Sequence, residues 1–304
     1  MTNPHRPNEE SLDQAAEEFL RHRPRMFGIA YRILGSVAEA EEVVQDAWLR
    51  WQRTDRTAVL DPGHFLSTVA THLAINVAQS ARVRREAYVG TWLPEPVDTE
   101  VDPAVGAERG EALELAVLMM MEKLKPVERA VYVLREAFDY PYEEIAALLQ
   151  LNVDNVRQIA SRARKRLSAE RRAEVDKSAH RRLLDAFVAA AQTGDVRTLE
   201  KMLSEDAVSY ADGNGVRGVA QIPVTGVARI SKISAFVRKF VPGAEFRPVE
   251  ANGRPAMLIV QGQAVRALLT ITTEHNRING VYWVVAPEKL EAFLRSGDRI
   301  RRLV

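Results

Sequence analysis

The sequence predicts a multidomain protein in which two all-α domains are followed by an α+β domain. Three observations support this fold class. Apolar residues recur every three or four positions as far as about residue 172, a period typical of amphipathic helices. A stretch rich in proline, glycine and acidic residues interrupts that pattern between residues 87 and 110. After Ala179, runs rich in Val, Ile and Thr and bounded by Gly, Asn or Pro indicate strands.

The length of 304 residues suffices for two or three compact domains. Charges interrupt every apolar stretch before it reaches the roughly 18 residues that a membrane span requires, and the polar N-terminus has no signal core. The absence of cysteine excludes disulfides, thiolate zinc sites and a cysteine nucleophile. We therefore expect a cytoplasmic protein with no membrane partner, and predict no cofactor and no metal site.

The net charge of +1 conceals a segregated distribution. Seven acidic residues stand against one base between Glu95 and Glu114, and seven bases stand against one acid between Arg157 and Arg172. Either run alone is most simply a solvated helix face. Together they are typical of a nucleic-acid-facing helix beside an acidic linker.

The first helical block runs from Phe19 to about Glu86, with breaks at residues 34–36 and 61–63. Ser36 and Glu39 have the spacing of a capping box at the start of a helix. The helix that follows carries one apolar stripe, a pattern that many solvated amphipathic helices share. The stripe comprises Ala40, Val43, Val44, Ala47, Trp48 and Trp51.

The segment YRILGSVAEAEEVVQDAWLRWQ, residues 31–52, resembles region 2 of the sigma factors, where a helix docks on the β′ clamp helices of RNA polymerase. This resemblance implies that outward polar residues of the helix contact basic residues of the clamp. The candidates are Glu41, Glu42, Gln45 and Asp46.

The next helix, from Phe65 to Glu86, interleaves amide and hydroxyl residues with core positions and ends in bases, which suits base edges and phosphates. In the sigma family this helix recognises the minus-10 element and holds flipped bases. The candidates are His72, Asn76, Ser80, Arg82, Arg84 and Arg85. Many family members have asparagine and aspartate where His72 and Asn76 stand, and a lone histidine is more simply a surface or core residue.

The second helical block, from Glu111 to about Arg172, predicts a helix-turn-helix whose last helix begins at Asn152 as its N-cap. The small Ala146 allows the two helices to cross closely, and Arg157 and Gln158 suit guanine and adenine edges in the major groove. A short helical hairpin without DNA function is the alternative, and the basic run favours DNA. The outward candidates are Asn155, Arg157, Gln158, Ser161, Arg162 and Lys165.

Residues 128–167, ERAVYVLREAFDYPYEEIAALLQLNVDNVRQIASRARKRL, are similar to sigma region 4, which binds the minus-35 element. No counterpart of the large region 3 intervenes, as in the extracytoplasmic-function (group IV) sigma factors. The resemblance implies two partners: promoter DNA, and core RNA polymerase through its β′ clamp helices and β flap. It also implies that the acidic linker follows the RNA exit path of the polymerase.

The α+β region predicts helices at 181–191, 196–203 and 229–241 and strands at 207–211, 245–249, 256–261, 264–273 and 277–285. It resembles a SnoaL-like, NTF2-type domain, in which helices lie across a sheet that forms a cone. Four short motifs match the sigma subgroup that carries this extension. They are WLPEPV (92–97), DGNG (212–215, usually DGGG), NGRPA (252–256) and APEKL (286–290, usually NPDKL).

This subgroup carries the extension in place of a separate anti-sigma partner, which implies that the extension holds the sigma domains together through the WLPEP linker. The candidate interdomain residues are Trp92, Leu93, Pro94, Asp212, Gly213, Gly215, Pro287, Lys289 and Leu290. Truncation before Arg181 is expected to alter activity, and deletion of residues 286–304 to release inhibition. We place the domains at residues 1–90, 91–112 (linker), 113–175 and 180–304.

Two other function classes fit parts of the chain. NTF2-type folds serve isomerases and cyclases, so Asp212 and His275 could form an acid–base pair in a pocket enzyme with a helical DNA-binding N-terminus. Asp212 and His275 are more simply parts of tight turns. A DNA-binding regulator acting without polymerase would not need the stripe from Ala40 to Trp51. We therefore predict a sigma factor and not an enzyme, and leave open whether the cone binds a small molecule.

Overall fold

The computed structural model describes residues 9–99, 114–168 and 176–301. In these ranges the chain forms two helical units followed by an α+β domain, as the sequence predicts. None of the helices in the described ranges is both long enough and apolar enough to cross a membrane.

The first helical unit contains α1 (Glu9–Leu34), α2 (Val37–Arg53) and α3 (Pro62–Glu86), with a 3₁₀ turn at Arg56–Ala58. Helix α1 stops where Gly35 adopts a φ of +67°, which favours glycine. The stripe predicted for α2 is buried except for the half-buried Trp48. Trp51 donates its indole N–H to the Ala15 carbonyl oxygen at 3.0 Å, which ties α2 to α1.

The second helical unit contains α4 (Leu115–Met121), α5 (Pro126–Glu136), α6 (Tyr142–Leu149) and α7 (Val153–Ser168). Helix α6 ends at Gln150, whose φ of 54° turns the chain sharply into α7. Apolar side chains of α5 pack against those of α1 and α3, so the two helical units share one continuous core.

The α+β domain contains one six-stranded sheet and four helices. Its elements are α8 (Lys177–Thr193), α9 (Val196–Met202), β1 (Leu203–Asp212), β2 (Val224–Thr225), α10 (Val227–Phe240), β3 (Glu245–Ala251), β4 (Arg254–Gln261), β5 (Ala264–Glu274), β6 (Arg277–Val284) and α11 (Pro287–Arg301). The strand order is β2-β1-β6-β5-β4-β3, with β1 and β6 parallel and the other pairs antiparallel.

Both faces of this sheet are buried, because side chains alternate between them along each strand. Leu269 and Val281 point to the face that α8, α9 and α10 cover. On the opposite face, Leu268 and Val284 pack against a cluster of residues from outside the sheet. That cluster contains Leu93 of the linker, Leu115 of α4, and Leu290 and Phe293 of α11. The second face is therefore the surface on which the rest of the protein docks.

Two elements of the α+β domain were not predicted from sequence. Strand β2 is only two residues long, which is too short to show an alternation of polar and apolar side chains. For helix α11 the sequence indicated only the motif APEKL, although the apolar residues Leu290, Phe293 and Leu294 have the three- and four-residue spacing of a helix. Its apolar side, with Leu290 and Phe293, is the part that completes the second face of the sheet.

A buried histidine in α8 makes the stability of the protein depend on pH. His180 is 4% exposed, and its Nε2 has no hydrogen-bond partner in the described part of the chain. Burial lowers the pKa of His180 to about 4, and the nearby Arg254 and Arg181 act in the same direction. The folded state therefore requires the neutral ring, and stability that is present above the usual histidine pKa near 6.5 is lost as the pH falls toward 4.

We expect His180→Leu to remove this dependence. Between pH 7 and pH 4.5 the wild-type protein should lose about 2 kcal/mol more unfolding free energy than the variant, as measured by urea denaturation. His275→Asn, a change at an exposed hairpin position, serves as the control and should lose as much as wild type. Equal losses in wild type and His180→Leu would contradict this account.

Candidate nucleic-acid interface and interdomain clasp

The predicted polymerase-facing residues lie on one side of α2. Glu42, Gln45 and Asp46 are exposed. Glu41 is half-buried, and its carboxylate accepts from Arg23 of α1 at 2.6 Å. The helix thus presents an acidic face that can receive basic side chains of another protein, with one of its four candidates already paired.

The N-terminus of α2 is capped by two side chains. Ser36 accepts a hydrogen bond from the Glu39 amide, as the sequence predicts. Its hydroxyl also donates to the Glu95 carboxylate at 2.9 Å, and the Val37 amide donates to the same carboxylate at 2.7 Å. A carboxylate placed on unpaired amides at the positive end of a helix contributes about 0.3–1 kcal/mol when exposed and more when partly buried. Glu95 thereby binds the linker to the start of α2.

Helix α3 carries the predicted minus-10 residues in three different environments. Asn76 and Ser80 are exposed. His72 is half-buried, with its Nε2 2.7 Å from the Leu148 carbonyl oxygen of α6, so it lies against the helix-turn-helix. The side chains of Arg82 and Arg84 lie outside the described residues.

Arg85, at the end of α3, is occupied by several groups. Its guanidinium donates to the Leu34 carbonyl oxygen and to the Glu122 carboxylate, and it lies 3.6 Å from Glu39. It also stacks on the Trp92 ring, 3.8 Å from the ring centroid. Two of the residues predicted to bind the minus-10 element, Arg85 and His72, are thus engaged by other parts of the chain.

The predicted minus-35 residues form the outer face of α7. Asn152 accepts from the Asn155 amide at 2.7 Å, which confirms it as the N-cap. Asn155 is half-buried, and the other five candidates, Arg157, Gln158, Ser161, Arg162 and Lys165, are exposed. The inner face of α7 is buried in the shared core, and the outer face is exposed.

Some basic residues of α7 pair with acidic residues of neighbouring helices. Arg164 pairs with Glu136 at 2.7 Å and Arg166 with Glu128 at 3.3 Å, and both ion pairs fasten α7 to α5. Arg157 lies 3.0 Å from Glu143 of α6. This last pair is more than half exposed on both sides and is worth under about 1 kcal/mol, so a phosphate or a guanine can replace it.

A buried clasp joins the linker to the α+β domain at Asp212. This carboxylate has no exposed surface and accepts three hydrogen bonds. They come from the Tyr88 hydroxyl at 2.5 Å, the Leu93 amide at 2.7 Å and the Lys289 ammonium at 2.7 Å. Lys289 also donates to the Leu93 carbonyl oxygen. The linker backbone is therefore held on both sides of Leu93 by one ion pair of the α+β domain.

The electrostatics of the clasp follow from its burial. Desolvation lowers the pKa of Lys289, and the Asp212 carboxylate acts against that shift. Burial and the adjacent carboxylate both raise the pKa of Tyr88, so its hydroxyl stays protonated and donates. A buried charge that lost its partner here would be costly. The ion pair is therefore stable only while both members and the linker are in place.

Trp92 lies between the helical units and the α+β domain. One side of its ring faces Arg85, and the Lys289 ammonium lies 4.5 Å from the ring centroid. The close approach requires Gly35, because a Cβ at that position would lie 3.0 Å from Trp92 Cη2. Leu93, the next residue, is fully buried against the sheet.

A second junction lies further along the linker. Tyr31 of α1 donates to the Glu95 carbonyl oxygen at 2.6 Å and accepts from Asn252 Nδ2 at 2.7 Å. The side-chain oxygen of Asn252 also accepts from the Val97 backbone N–H at 3.2 Å. The backbone N–H of Asn252 donates to the Val97 carbonyl oxygen at 2.9 Å. Desolvation raises the pKa of Tyr31, which keeps this hydroxyl protonated. Asn252 thus connects the β3–β4 turn to both the linker and the first helical unit.

The structure brings most of the predicted interdomain residues together. Trp92, Leu93, Asp212, Lys289 and Leu290 meet in or beside the clasp. Pro94 is buried against Gly35, Gly213 and Gly215 form the turn after β1, and Pro287 is exposed at the start of α11.

Four contributors were missed: Tyr31, Tyr88, Glu95 and Asn252. Glu95 and Asn252 lie inside the motifs WLPEPV and NGRPA, so their position in those motifs was the available signal. The two tyrosines have no comparable signal, since a tyrosine in a helix is usually a core residue.

The geometry does not support an acid–base pair of Asp212 and His275. Asp212 pairs with Val284 at one end of β6, and His275 is exposed in the turn before the other end. A strand of this length separates them by about 25 Å. Asp212 is moreover neutralised by Lys289 and shielded from solvent.

Comparison with known families finds two matches within the helical units. Residues 19–87 match the Sigma-70 region 2 family and residues 114–167 match the Sigma-70 region 4 family. The first match begins within α1 and continues through α3, and the second extends from α4 almost to the end of α7.

The chain is also similar to whole proteins of Mycobacterium tuberculosis. It is 36% identical over 233 residues to the ECF RNA polymerase sigma factor SigJ, covering 74% of each chain. It is 29% identical over 284 residues to the probable ECF RNA polymerase sigma factor SigI, covering 92% of this chain and 96% of SigI. The crystal structure of SigJ superposes with a TM-score of 0.75 at 30% identity, covering 91% of this chain and 98% of SigJ.

The clasp makes a stability prediction. Asp212→Ala leaves the Lys289 ammonium and the Leu93 amide buried without their acceptor, which should cost about 3 kcal/mol or more. The double variant Asp212→Leu/Lys289→Met replaces both charges by apolar groups and should recover a large part of that loss. Thermal unfolding and the hydrogen-exchange rate of the Leu93 amide measure both effects. A double variant no more stable than Asp212→Ala would show that the loss does not come from the orphaned charge.

Proposed function

The chain belongs to the extracytoplasmic-function RNA polymerase sigma factors, and we propose that its clasp holds it in a closed state which competes with polymerase and promoter binding. As a sigma factor it acts with core RNA polymerase and promoter DNA in transcription initiation and is not an enzyme. The observation that carries the proposal is the engagement of Arg85, a predicted minus-10 residue, by Trp92 of the clasp.

Polymerase binding is assigned to the acidic face of α2, where Glu42, Gln45 and Asp46 are exposed. Glu41 joins them when its weak ion pair with Arg23 breaks. Arginine and lysine side chains of the β′ clamp helices are the proposed partners. We assign a second contact to the β flap and the second helical unit, following the family resemblance.

Promoter recognition is assigned to two surfaces. The outer face of α7 reads the minus-35 element, with Arg157 and Gln158 nearest the N-terminus of the helix. Helix α3 reads the minus-10 element through Asn76, Ser80, His72 and its basic end. Because His72 bonds α6 and Arg85 bonds α1 and Glu122 of the second unit, the two surfaces cannot separate while these bonds persist. Promoter elements lie apart on DNA, so reading both requires the two units to move.

The α+β domain regulates this step through the linker. Leu93 binds its sheet, Glu95 caps α2, and Val97 bonds Asn252, so one segment is attached to both the α+β domain and the first helical unit. Undocking of the linker removes Trp92 from Arg85 and Glu95 from the start of α2 together. The bond of Arg85 to Glu122 breaks only when the two helical units separate, and its bond to Leu34 lies within the first unit. The free energy of the clasp then sets the fraction of the protein that polymerase can capture.

The DNA assignment is tested by transcription in vitro with sigma-free core polymerase. Arg157→Ala and Gln158→Ala should each reduce transcripts from a cognate promoter about 5- to 100-fold, the equivalent of one lost base contact. The exposed Arg277 of β6 provides the matched control, since Arg277→Ala changes the same charge away from α7. If the wild-type protein yields no specific transcript from any promoter, the initiation function itself is refuted.

The regulatory proposal is tested by two leucines one turn apart on α11. Leu290 is buried in the docking face and Leu294 is exposed. Leu290→Ser should open the clasp and lower the protein concentration needed for half-maximal polymerase capture several-fold, and Leu294→Ser should leave it unchanged. Limited proteolysis of the linker reports opening independently. An opened linker with unaltered capture would refute the competition between clasp and polymerase.

A further inference from the structure

One surface of the α+β domain has no part in the clasp and carries an unusual charge pattern. Residues 213–244, which span the loop after β1, β2 and α10, contain five bases and no acid, in a chain with 41 acidic residues. We call the loop Gly213–Gly226 together with α10 the basic ridge.

The basic ridge exposes large apolar side chains. Ile233, Phe236 and Phe240 follow one another at helical spacings of three and four along the outer side of α10. They are 46%, 45% and 58% exposed. The opposite side of α10, with Ile230 and Ser234, is buried in the domain. The helix is thus fixed by one face and presents a second apolar face to the outside.

The loop extends this apolar face. Ile222 is 74% exposed. Gly218 lies directly against the Phe240 ring, because a Cβ at that glycine would approach Cε1 to 2.9 Å. The Phe236 and Phe240 rings pack edge-on at 5.2 Å. Loop and helix therefore form a single ridge and not scattered exposed residues.

Unpaired bases flank the ridge. Arg217, Arg229, Lys232 and Lys239 are exposed, and within the described ranges none of them forms an ion pair. The Lys239 ammonium lies 5.3 Å from the Phe236 centroid, so charge and aromatic surface are adjacent. Long basic side chains beside apolar ones allow a surface to bury rings while the charges remain at a polar boundary.

We propose that the basic ridge docks on the surface of a bilayer that contains anionic phospholipids. An exposed helix face of aromatic and aliphatic side chains, in a segment that has five bases and no acid of its own, has the chemistry of an interfacial helix. A second copy of the chain is a poor occupant, because a symmetric contact would bring the same bases together. An acidic protein would satisfy the charges, but the exposed side chains form a ridge and not a groove that would receive a helix.

The position of the ridge connects it to the clasp. A Cβ at Gly90 would lie 3.3 Å from the Gln221 Cα, and one at Gly215 would lie 3.7 Å from Val89 Cγ1. The loop that would touch lipid therefore rests on the linker next to Tyr88, which bonds Asp212. Docking on a bilayer would engage the same loop that covers the start of the linker.

The test uses the full chain and sedimentation with vesicles. The wild-type protein should bind to vesicles of phosphatidylcholine that contain about 30% phosphatidylglycerol, and it should bind much less to vesicles of pure phosphatidylcholine. Lys232→Glu/Lys239→Glu and Phe236→Ser/Phe240→Ser should each weaken binding about tenfold or more. Two matched controls keep wild-type binding. Arg266→Glu/Arg277→Glu changes the net charge equally on exposed strand positions, and Leu60→Ser removes an exposed apolar side chain elsewhere.

Several results would overturn the proposal. One is failure of the wild type to sediment with the anionic vesicles. Another is an equal loss in Arg266→Glu/Arg277→Glu, which would assign binding to overall charge, including the bases of α7. Binding of polyglutamate without binding of vesicles would assign the ridge to an acidic protein. Circular dichroism confirms that each variant is folded, and the wild-type result decides the matter even where a variant is not.

Discussion

The architecture depends on a buried ion pair that is incomplete without the linker. Asp212 and Lys289 both belong to the α+β domain, yet each also bonds the backbone of Leu93, and Asp212 accepts a further bond from Tyr88. Removing two charges from water is favourable only when their other donors and acceptors are also satisfied. The α+β domain therefore has a binding site for the linker whose occupation is required by its own electrostatics. The Leu93 side chain is buried at the same point, so docking of the linker is stabilised both by polar bonds and by the burial of apolar surface.

The linker is suited to join two bodies because of its backbone. Pro94 and Pro96 restrict φ and favour an extended chain, which reduces the entropy lost when the linker docks. Neighbouring side chains then serve different partners. Leu93 enters the sheet face, whereas Glu95 reaches the amides of α2 and its carbonyl oxygen accepts from Tyr31. A flexible polar linker would tether the domains without transmitting the state of one to the other.

Sequence reasoning was successful where a feature has a local period and weaker where it depends on distant contacts. The stripe of α2, the N-cap Asn152 and five of the six strands of the sheet were predicted from spacing and turn chemistry. Trp92 and Lys289 were selected because they lie in recognisable motifs. The spacing of residues cannot show that Arg85 stacks on Trp92, since that contact joins elements from separate parts of the chain. For the same reason the sequence predicts His72 only as a DNA contact or as a surface or core residue, and it does not indicate the contact with Leu148.

These distant contacts have a common consequence for regulation. Arg85 serves a proposed external partner and also holds the closed state, so its internal and external bonds compete. On α2 the linker binds the N-terminus, whereas the proposed polymerase residues Glu42, Gln45 and Asp46 stay exposed. By linkage, whatever favours the open state raises the affinity for polymerase and DNA, and binding of polymerase loosens the clasp by the same free energy. Tight binding alone is insufficient, because only the difference in affinity between open and closed states shifts the population. The α+β domain therefore needs no contact with DNA or polymerase to control them. It holds the linker at two points instead, at Leu93 through the clasp and at Val97 through Asn252.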